Sequence, residues 1–325
     1  ALLNFEGTLI AVSHDRFFSK KIATRESYGK ALKEFGSDER IVVLDADLAA
    51  ATKTGMFKKA HPEMFYNCGI AEQNMMSIAA GLSTCGKIPV AASFAMFATG
   101  RAYEQIRNSI GYPQLNVKIA GSHAGISTGE DGATHQCLED IGVMRTIPGM
   151  AIVNPADAVE ARAAVEWAIN YNGPVYLRFG RLAVPVFHGD DYKFELGRGV
   201  QMRDGKDVTI VATGFMVHVA VEAAELHKED GIDASVLNIH TIKPIDRDII
   251  AKAARETGAI VTAEEHNIIG GLGSAVAEAV CQSACGNGGE ACKINHALLV
   301  GGGSGRAVKI EGHVSRGLQG CHVKE

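Results

Sequence analysis

No stretch of this 325-residue sequence strings together the roughly 20 apolar residues that a membrane-crossing helix needs. A long basic tract is also missing. The 32 Lys and Arg stand against 37 Asp and Glu, a formal net charge of -5, which gives no reason to expect nucleic acid. The first residues do not have the layout of a signal peptide. Cysteine is scarce and odd in number. Seven Cys in a chain that is 46% hydrophobic favour a reducing compartment, hence the cytoplasm, over a disulfide framework. Cys68, Cys85 and Cys137 fall among apolar or helical stretches, as small buried thiols do. Cys281, Cys285 and Cys292, followed by His296, match no standard zinc spacing. The cluster Gly270-Gly271-Leu272-Gly273 does not directly follow the first strand of a dinucleotide-binding unit, so close packing explains it better than a nucleotide does.

What is present is a chain long enough for two ordinary domains with real cores. Strand-like and helix-like segments alternate. A helix is expected from Thr24 to the glycine stop at Gly36, then a buried strand over 40–48. Residues 71–82 read as helical. Val90–Phe94 reads as a strand tip followed by a helix through Asn108, and Val117–Ala120 as a short strand. Asn154-Pro155-Ala156-Asp157 reads as a helix start with Asn154 as cap, and Pro174–Phe179 as a strand. A second unit begins at Val208–Ala212 and continues with a helix over 218–227 and strands at 234–238 and 259–263. Asp246 is a helix cap in that unit. The alternation predicts mostly parallel sheets covered on both faces, that is, two three-layer α/β domains. The boundaries expected are 21–185, a linker over 186–206, and 207–283. Residues 1–20 and 284–325 do not fit this pattern. Residues 7–18 resemble the switch-histidine segment of ABC-type ATPases, yet no Walker A sequence occurs anywhere, which removes that reading. Residues 286–290 and 301–305 have the composition of weakly ordered chain.

Two runs carry the chemistry. Gly69-Ile70-Ala71-Glu72-Gln73-Asn74-Met75 places a lone carboxylate at an otherwise apolar helix start. By itself this fits a carboxylate that offsets the helix dipole as well as a buried, poised acid. The long glycine-rich loop 121–136 ends in Gly129-Glu130-Asp131-Gly132-Ala133-Thr134-His135-Gln136, with a carboxylate and an imidazole four residues apart among small residues. Long ordered loops in α/β domains are often functional. Ser93-Phe94-Ala95-Met96-Phe97 adds aromatic rings at a strand end, suited to a flat heteroaromatic ligand or to a core. Arg25 sits at a helix start and Arg178 inside an apolar strand. Such arginines demand an anionic partner, either a phosphate or a structural carboxylate.

Taken together and in this order, these motifs resemble the pyrimidine-binding and C-terminal domains of the transketolase family over Ile22 to Cys281. That family's diphosphate- and metal-binding domain has no counterpart here. The resemblance is to the C-terminal subunit of a transketolase split between two genes. It implies thiamine diphosphate and a divalent metal such as Mg²⁺, the latter held mainly by a separate N-terminal subunit. It also implies self-association into a dimeric or heterotetrameric assembly. The implied reaction is transfer of a two-carbon ketol unit between sugar phosphates, as in the pentose phosphate pathway.

The resemblance also assigns roles. Glu72 would activate the cofactor, with Phe94 and Phe97 packing on its ring, Arg101 and Tyr103 supporting that wall, and Asp47 orienting the group. Asp131 and His135 would hold the donor sugar's reacting end, His135 with a part in proton transfer. Arg25, His123 and Arg178 would bind the phosphate. The family commonly has a serine near Ala51; here Thr52 offers the nearest hydroxyl. Three other readings stand beside this one: a 1-deoxyxylulose-5-phosphate synthase-like enzyme, a 2-oxoacid dehydrogenase beta-like subunit, and a non-catalytic partner-binding protein.

Overall fold

The computed structural model describes residues 8–11, 20–284, 293–300 and 308–315. The apolar run Ile41–Asp45 is buried at every position. A central strand of a parallel sheet must be, because helices cover both of its faces. Alternate residues serve the two sides. Val42 and Leu44 pack with Met75 and Ile106, whereas Ile41 and Val43 pack with Tyr28, Leu32 and Val165. The result is the expected three-layer domain.

Its sheet runs in the order Thr241–Lys243, Ala151–Val153, Val175–Arg178, Lys118–Ser122, Ile88–Phe94, Ile41–Asp45 and Phe65–Asn67. All neighbours are parallel except the edge strand Thr241–Lys243, which lies antiparallel to Ala151–Val153 with Thr241 opposite Val153. That edge strand is lent by the second domain. Lys243 fastens it by donating to the carbonyls of Arg145 and Ile147.

The second sheet has a parallel centre. Val208–Ala212 lies between Ala234–Asn238 and Ala259–Glu264, and Lys293–Val300 follows on the outside. Antiparallel strands flank this centre: Val200–Arg203 on one edge, and Val308–Ser315 with Thr8–Ala11 on the other. One face packs Val208 and Ile210 against Met216 and Val217. The other packs Val211 and Ile260 against Ile250 and Val276, in an apolar cluster continuous with Leu44 and Ile119 of the first domain.

Several elements differ from expectation. Within the expected linker 186–206, Val200–Arg203 pairs with Ala234–Asn238, and Phe194 packs on Trp167. Just before it, Ala183–Pro185 pairs with Lys21–Ala23. The helix after Asn154 begins at Ala158 and is capped by Asp157, whose carboxylate accepts from the amides of Val159 and Glu160. Asn154 instead reaches Thr213. Beyond Phe94 there is no single helix to Asn108. Met96–Arg101 and Ile106–Gly111 wind as π-helix around a short turn at Tyr103–Gln105. Residues 1–7, 12–19, 285–292, 301–307 and 316–325 lie outside the described residues, and with them most of the ATPase-like run, the two glycine-rich runs at 286–290 and 301–305, and Cys285 and Cys292. Among the described residues no helix is long and apolar enough to cross a membrane.

Candidate active site

In open α/β sheets, ligands bind beyond the carboxyl ends of the strands. The motif residues gather there. Asp47 follows the strand Ile41–Asp45, Phe94 ends Ile88–Phe94, His123 follows Lys118–Ser122, and Glu72 opens the helix Glu72–Thr84.

Glu72 is 1% exposed. One carboxylate oxygen accepts from the Ser93 hydroxyl at 3.3 Å and the other from Arg101 Nη1 at 2.7 Å. Arg101 in turn lies over the Phe97 ring, 4.5 Å from its centroid. A π-helical segment delivers Arg101 to this place, the kind of irregularity that concentrates at functional sites.

Phe94 stacks on His123 with ring centroids 3.8 Å apart. His135 meets Phe97 edge-on at 5.1 Å and Phe94 at 5.9 Å. Two aromatic rings and two imidazoles therefore line one cluster. His135 Nδ1 lies 2.9 Å from the Thr134 hydroxyl. Asp131 is exposed, in a short 3-10 turn over Gly129–Asp131.

A basic group adjoins this wall. Arg25 Nη1 donates to the Ala51 carbonyl at 2.8 Å and to His123 Nε2 at 3.0 Å. An arginine has no lone pair to offer, so Nε2 is the acceptor and the imidazole proton sits on Nδ1, donating to Ser122 Oγ at 3.0 Å. Burial, reinforced by Arg25, Arg181, His135 and Lys53, pushes the His123 pKa down to about 3, so the ring is neutral. Arg25 is also lowered, by burial and then by Arg181. Its Nε is buried with no hydrogen-bond partner among the described residues. Arg181 lies against Gly129, close enough that a Cβ there would come within 2.6 Å of its Nη1. The group is thus a set of crowded cations with an unfilled donor.

Asp47 sits in the left-handed region at φ 64°, which short polar side chains tolerate, and accepts from Asn67 Nδ2 at 2.8 Å. The turn that carries it is organised by the buried Asp45, which accepts from Leu48 N, Thr52 Oγ1 and Thr54 Oγ1. Burial raises the Asp45 pKa, and the two hydroxyls oppose that rise.

The family model described as "Transketolase, pyrimidine binding domain" matches residues 20–186, and "Transketolase, C-terminal domain" matches residues 197–304. The chain belongs to the transketolase family. The second match runs past residue 283, where the sequence pattern alone placed the domain's end.

Some relatives are separate subunits, and others, such as a 41% identical transketolase of Homo sapiens, are longer chains of which this chain covers 42%. The "6-deoxy-6-sulfo-D-fructose transketolase subunit SqwH" of a Clostridium species is 45% identical over 78% of this chain and 79% of that protein. An apulose-4-phosphate transketolase subunit of Phocaeicola vulgatus is 44% identical over 81% of this chain and 85% of that protein. A solved structure described as "Split gene transketolase, inactive beta4 tetramer" is 57% identical, covers 80% of this chain and 84% of its own, and superposes with a TM-score of 0.75.

Two residue assignments need correction within this transketolase-family chain. Arg178 is not available to a phosphate. Its guanidinium forms a bidentate pair with Asp140, through Nε at 2.6 Å and Nη2 at 3.1 Å, and Nη2 also donates to the Glu265 carbonyl. Both partners are buried, and the pair holds Asp140 below and Arg178 above their usual values. Thr52 spends its hydroxyl on Asp45 and is buried, so it does not stand in for a phosphate-binding serine. Arg181, three residues on, is the arginine whose charge acts on Arg25 and His123. One signal could have found it: Arg178 still lies within the strand, whereas Arg181 follows its carboxyl end, where ligands bind.

Proposed function

We propose that the chain is the pyrimidine-binding subunit of a thiamine-diphosphate-dependent transketolase. It transfers a two-carbon ketol unit between sugar phosphates together with a separate diphosphate-binding subunit. The observation that carries this reading is the buried Glu72 carboxylate, tied to Ser93 and Arg101 beside the Phe94–Phe97 wall. A low-exposure carboxylate beside flat apolar faces suits an aminopyrimidine ring.

When bound, the cofactor supplies the nucleophilic carbon and the electron sink for cleaving and remaking the carbon–carbon bond. Glu72 holds a proton at the pyrimidine nitrogen facing it. Phe94 and Phe97 pack against the ring and exclude water, with Arg101 supporting them and Asp47 orienting the group. His135 moves a proton at a hydroxyl of the reacting end, and Asp131 accepts from a neighbouring donor hydroxyl. Arg25 and Arg181 hold the phosphate, whose charge relieves the repulsion between them, and His123 adds a donor when its ring proton moves from Nδ1 to Nε2.

Mg²⁺ belongs mainly to the partner subunit. Ile70, 78% exposed two residues before Glu72, supports a site completed by another chain. The chain self-associates as well, giving a heterotetramer with its partner. The free thiols of Cys68, Cys85, Cys137 and Cys281 favour the cytoplasm. The relatives' names carry different sugars, so the donor is chosen by measurement.

The test mixes the purified chain with the separately encoded subunit, thiamine diphosphate and Mg²⁺. Consumption of xylulose 5-phosphate with ribose 5-phosphate as acceptor is followed, with 6-deoxy-6-sulfo-D-fructose, apulose 4-phosphate and pyruvate as alternative donors. Activity with a ketose donor in the mixture, absent from either subunit and lost in Glu72→Gln, supports the proposal. Activity with pyruvate alone overturns it in favour of a synthase-like enzyme.

A further inference from the structure

The loop that carries Asp131 and His135 closes on itself. Gly125 and Cys137 exchange both backbone hydrogen bonds, at 2.9 and 3.0 Å, and Gln136 donates to the Ile126 carbonyl. A loop shut in this way still needs an external reference to fix its orientation over the site. Three consecutive residues of the second domain, just past the strand Ala259–Glu264, supply one.

Glu265, buried, accepts from Ser127 N at 3.1 Å near the loop's start. Asn267 donates through both its backbone N (3.0 Å) and its side-chain Nδ2 (2.6 Å) to the Leu138 carbonyl just past the loop's end. Between them, His266 Nε2 accepts from Gly142 N at 3.2 Å. The fit at Gly125 is close. Its φ is 83°, and a Cβ there would come within 2.7 Å of the Glu265 Cβ. The clamp is itself held, because Arg178 donates to the Glu265 carbonyl while pairing with Asp140. Arg145 adds a further tie by donating to the Gly270 carbonyl.

We infer that Glu265–Asn267 is the positioning element for the active-site loop, with Glu265 as a positioning residue that sets the placement of Asp131 and His135 from the second domain. The kinetic part of this inference rests on the function proposed above; the ordering of the loop does not. The two domains then act as one unit in catalysis: the first carries the reacting groups and the second fixes their orientation. Burial raises the Glu265 pKa, and Arg178 and Ser127 oppose that rise. The carboxyl oxygen accepts from the Ser127 amide whether or not the other oxygen carries a proton.

The test uses the full chain, free and mixed with its partner. Hydrogen exchange read by mass spectrometry follows the peptide covering 125–138 and, as a reference, the strand 88–94. Glu265→Ala is expected to speed exchange at 125–138 about tenfold, the size of one lost buried hydrogen bond, with 88–94 unchanged. Glu265→Gln keeps an acceptor oxygen and is expected to restore protection. If Glu265→Ala does not fold, Asn267→Ala tests the other end of the clamp with the same expectation. In the mixture, kcat falls about tenfold in Glu265→Ala, most of it recovered in Glu265→Gln. Unchanged exchange at 125–138, or equal acceleration of 125–138 and 88–94, overturns the inference. Exchange confined to the loop in a mixture inactive with every donor keeps the clamp and rejects the proposed function instead.

Discussion

Arg101 donates to the Glu72 carboxylate at 2.7 Å while lying over the Phe97 ring, so the acid proposed to activate the cofactor is held by a cation beside the aromatic wall. Glu72 is buried, whereas the Arg101 side chain is 45% exposed. Arg101 can therefore leave toward solvent, and Glu72 cannot. Replacing Arg101 with Ala leaves Glu72 facing Ser93 alone. The expected loss is about 1 kcal/mol, because the exposed half of the pair is screened by water. Urea unfolding checks it.

Glu72→Gln keeps the shape and the Ser93 contact but cannot act as a carboxylate. The mixture with the partner subunit is expected to lose about 100-fold or more in kcat, the usual range for a positioned proton-handling group. The midpoint of unfolding changes little. Steady-state kinetics beside circular dichroism separates the two effects.

The two neighbouring arginines are expected to behave oppositely. Arg178→Ala strands the buried Asp140 carboxylate and costs about 3–5 kcal/mol of stability. Arg181→Ala leaves stability unchanged and raises KM for phosphorylated sugars about tenfold, with no effect on a donor lacking phosphate. Thermal unfolding and KM measured side by side decide which arginine serves the phosphate.

His123 gives a pH dependence of defined sign. Its folded pKa is lowered to about 3, against about 6.5 for a free imidazole. The unfolded chain therefore binds the extra proton between those values. The contribution is fully present above about 6.5 and is lost as pH falls toward 3. His123→Asn is expected to flatten stability over that interval and to leave it parallel to the original above pH 7. Denaturant midpoints across pH 4–8 test it.

Asp157 and His188 form a second pH-sensitive pair, at the start of the helix Ala158–Asn170, with Nδ1 of the ring 3.2 Å from the carboxylate. The carboxyl is held below its usual value, burial opposing and the close approach of His188 prevailing. The imidazole is held above its own, again against burial. The carboxylate's contribution is present above about pH 4 and the imidazolium's below about pH 6.5, so the pair stabilises most between them. Asp157→Ala removes this pair and the helix cap together, at an expected cost of about 2 kcal/mol at pH 5.5. Unfolding curves at pH 5.5 and 8 check the difference.

Much of the fold was legible because it rests on local pattern. Ile41–Asp45, Val208–Ala212 and Ala234–Asn238 are short apolar runs buried throughout, and Asp246 caps its helix as its spacing predicts. The cap before Ala158 was not legible in the same way. Asn154 and Asp157 are both good caps in isolation, and the contacts of Asp157 with Phe187 N and His188 N, about thirty residues away, favour it. The π-helical turns around Arg101 leave no trace in a 3.6-residue periodicity.

Residue types and spacing were thus sufficient for two α/β units, and they singled out the Glu72 and Asp131–His135 runs and the nearby phenylalanines as candidates whose roles only a family resemblance supplied. These depend on groups close together in the chain, where alternation and capping leave a readable signature. Which arginine faces the Arg25–His123 group, how Arg101 reaches Glu72, and how Glu265 and Asn267 clamp the loop depended on packing. Ser127 and Glu265 are 138 residues apart and meet only because the two domains share a core and an edge strand. A hydrogen bond across that separation is set by the fold's closure and leaves no mark on either segment's local pattern.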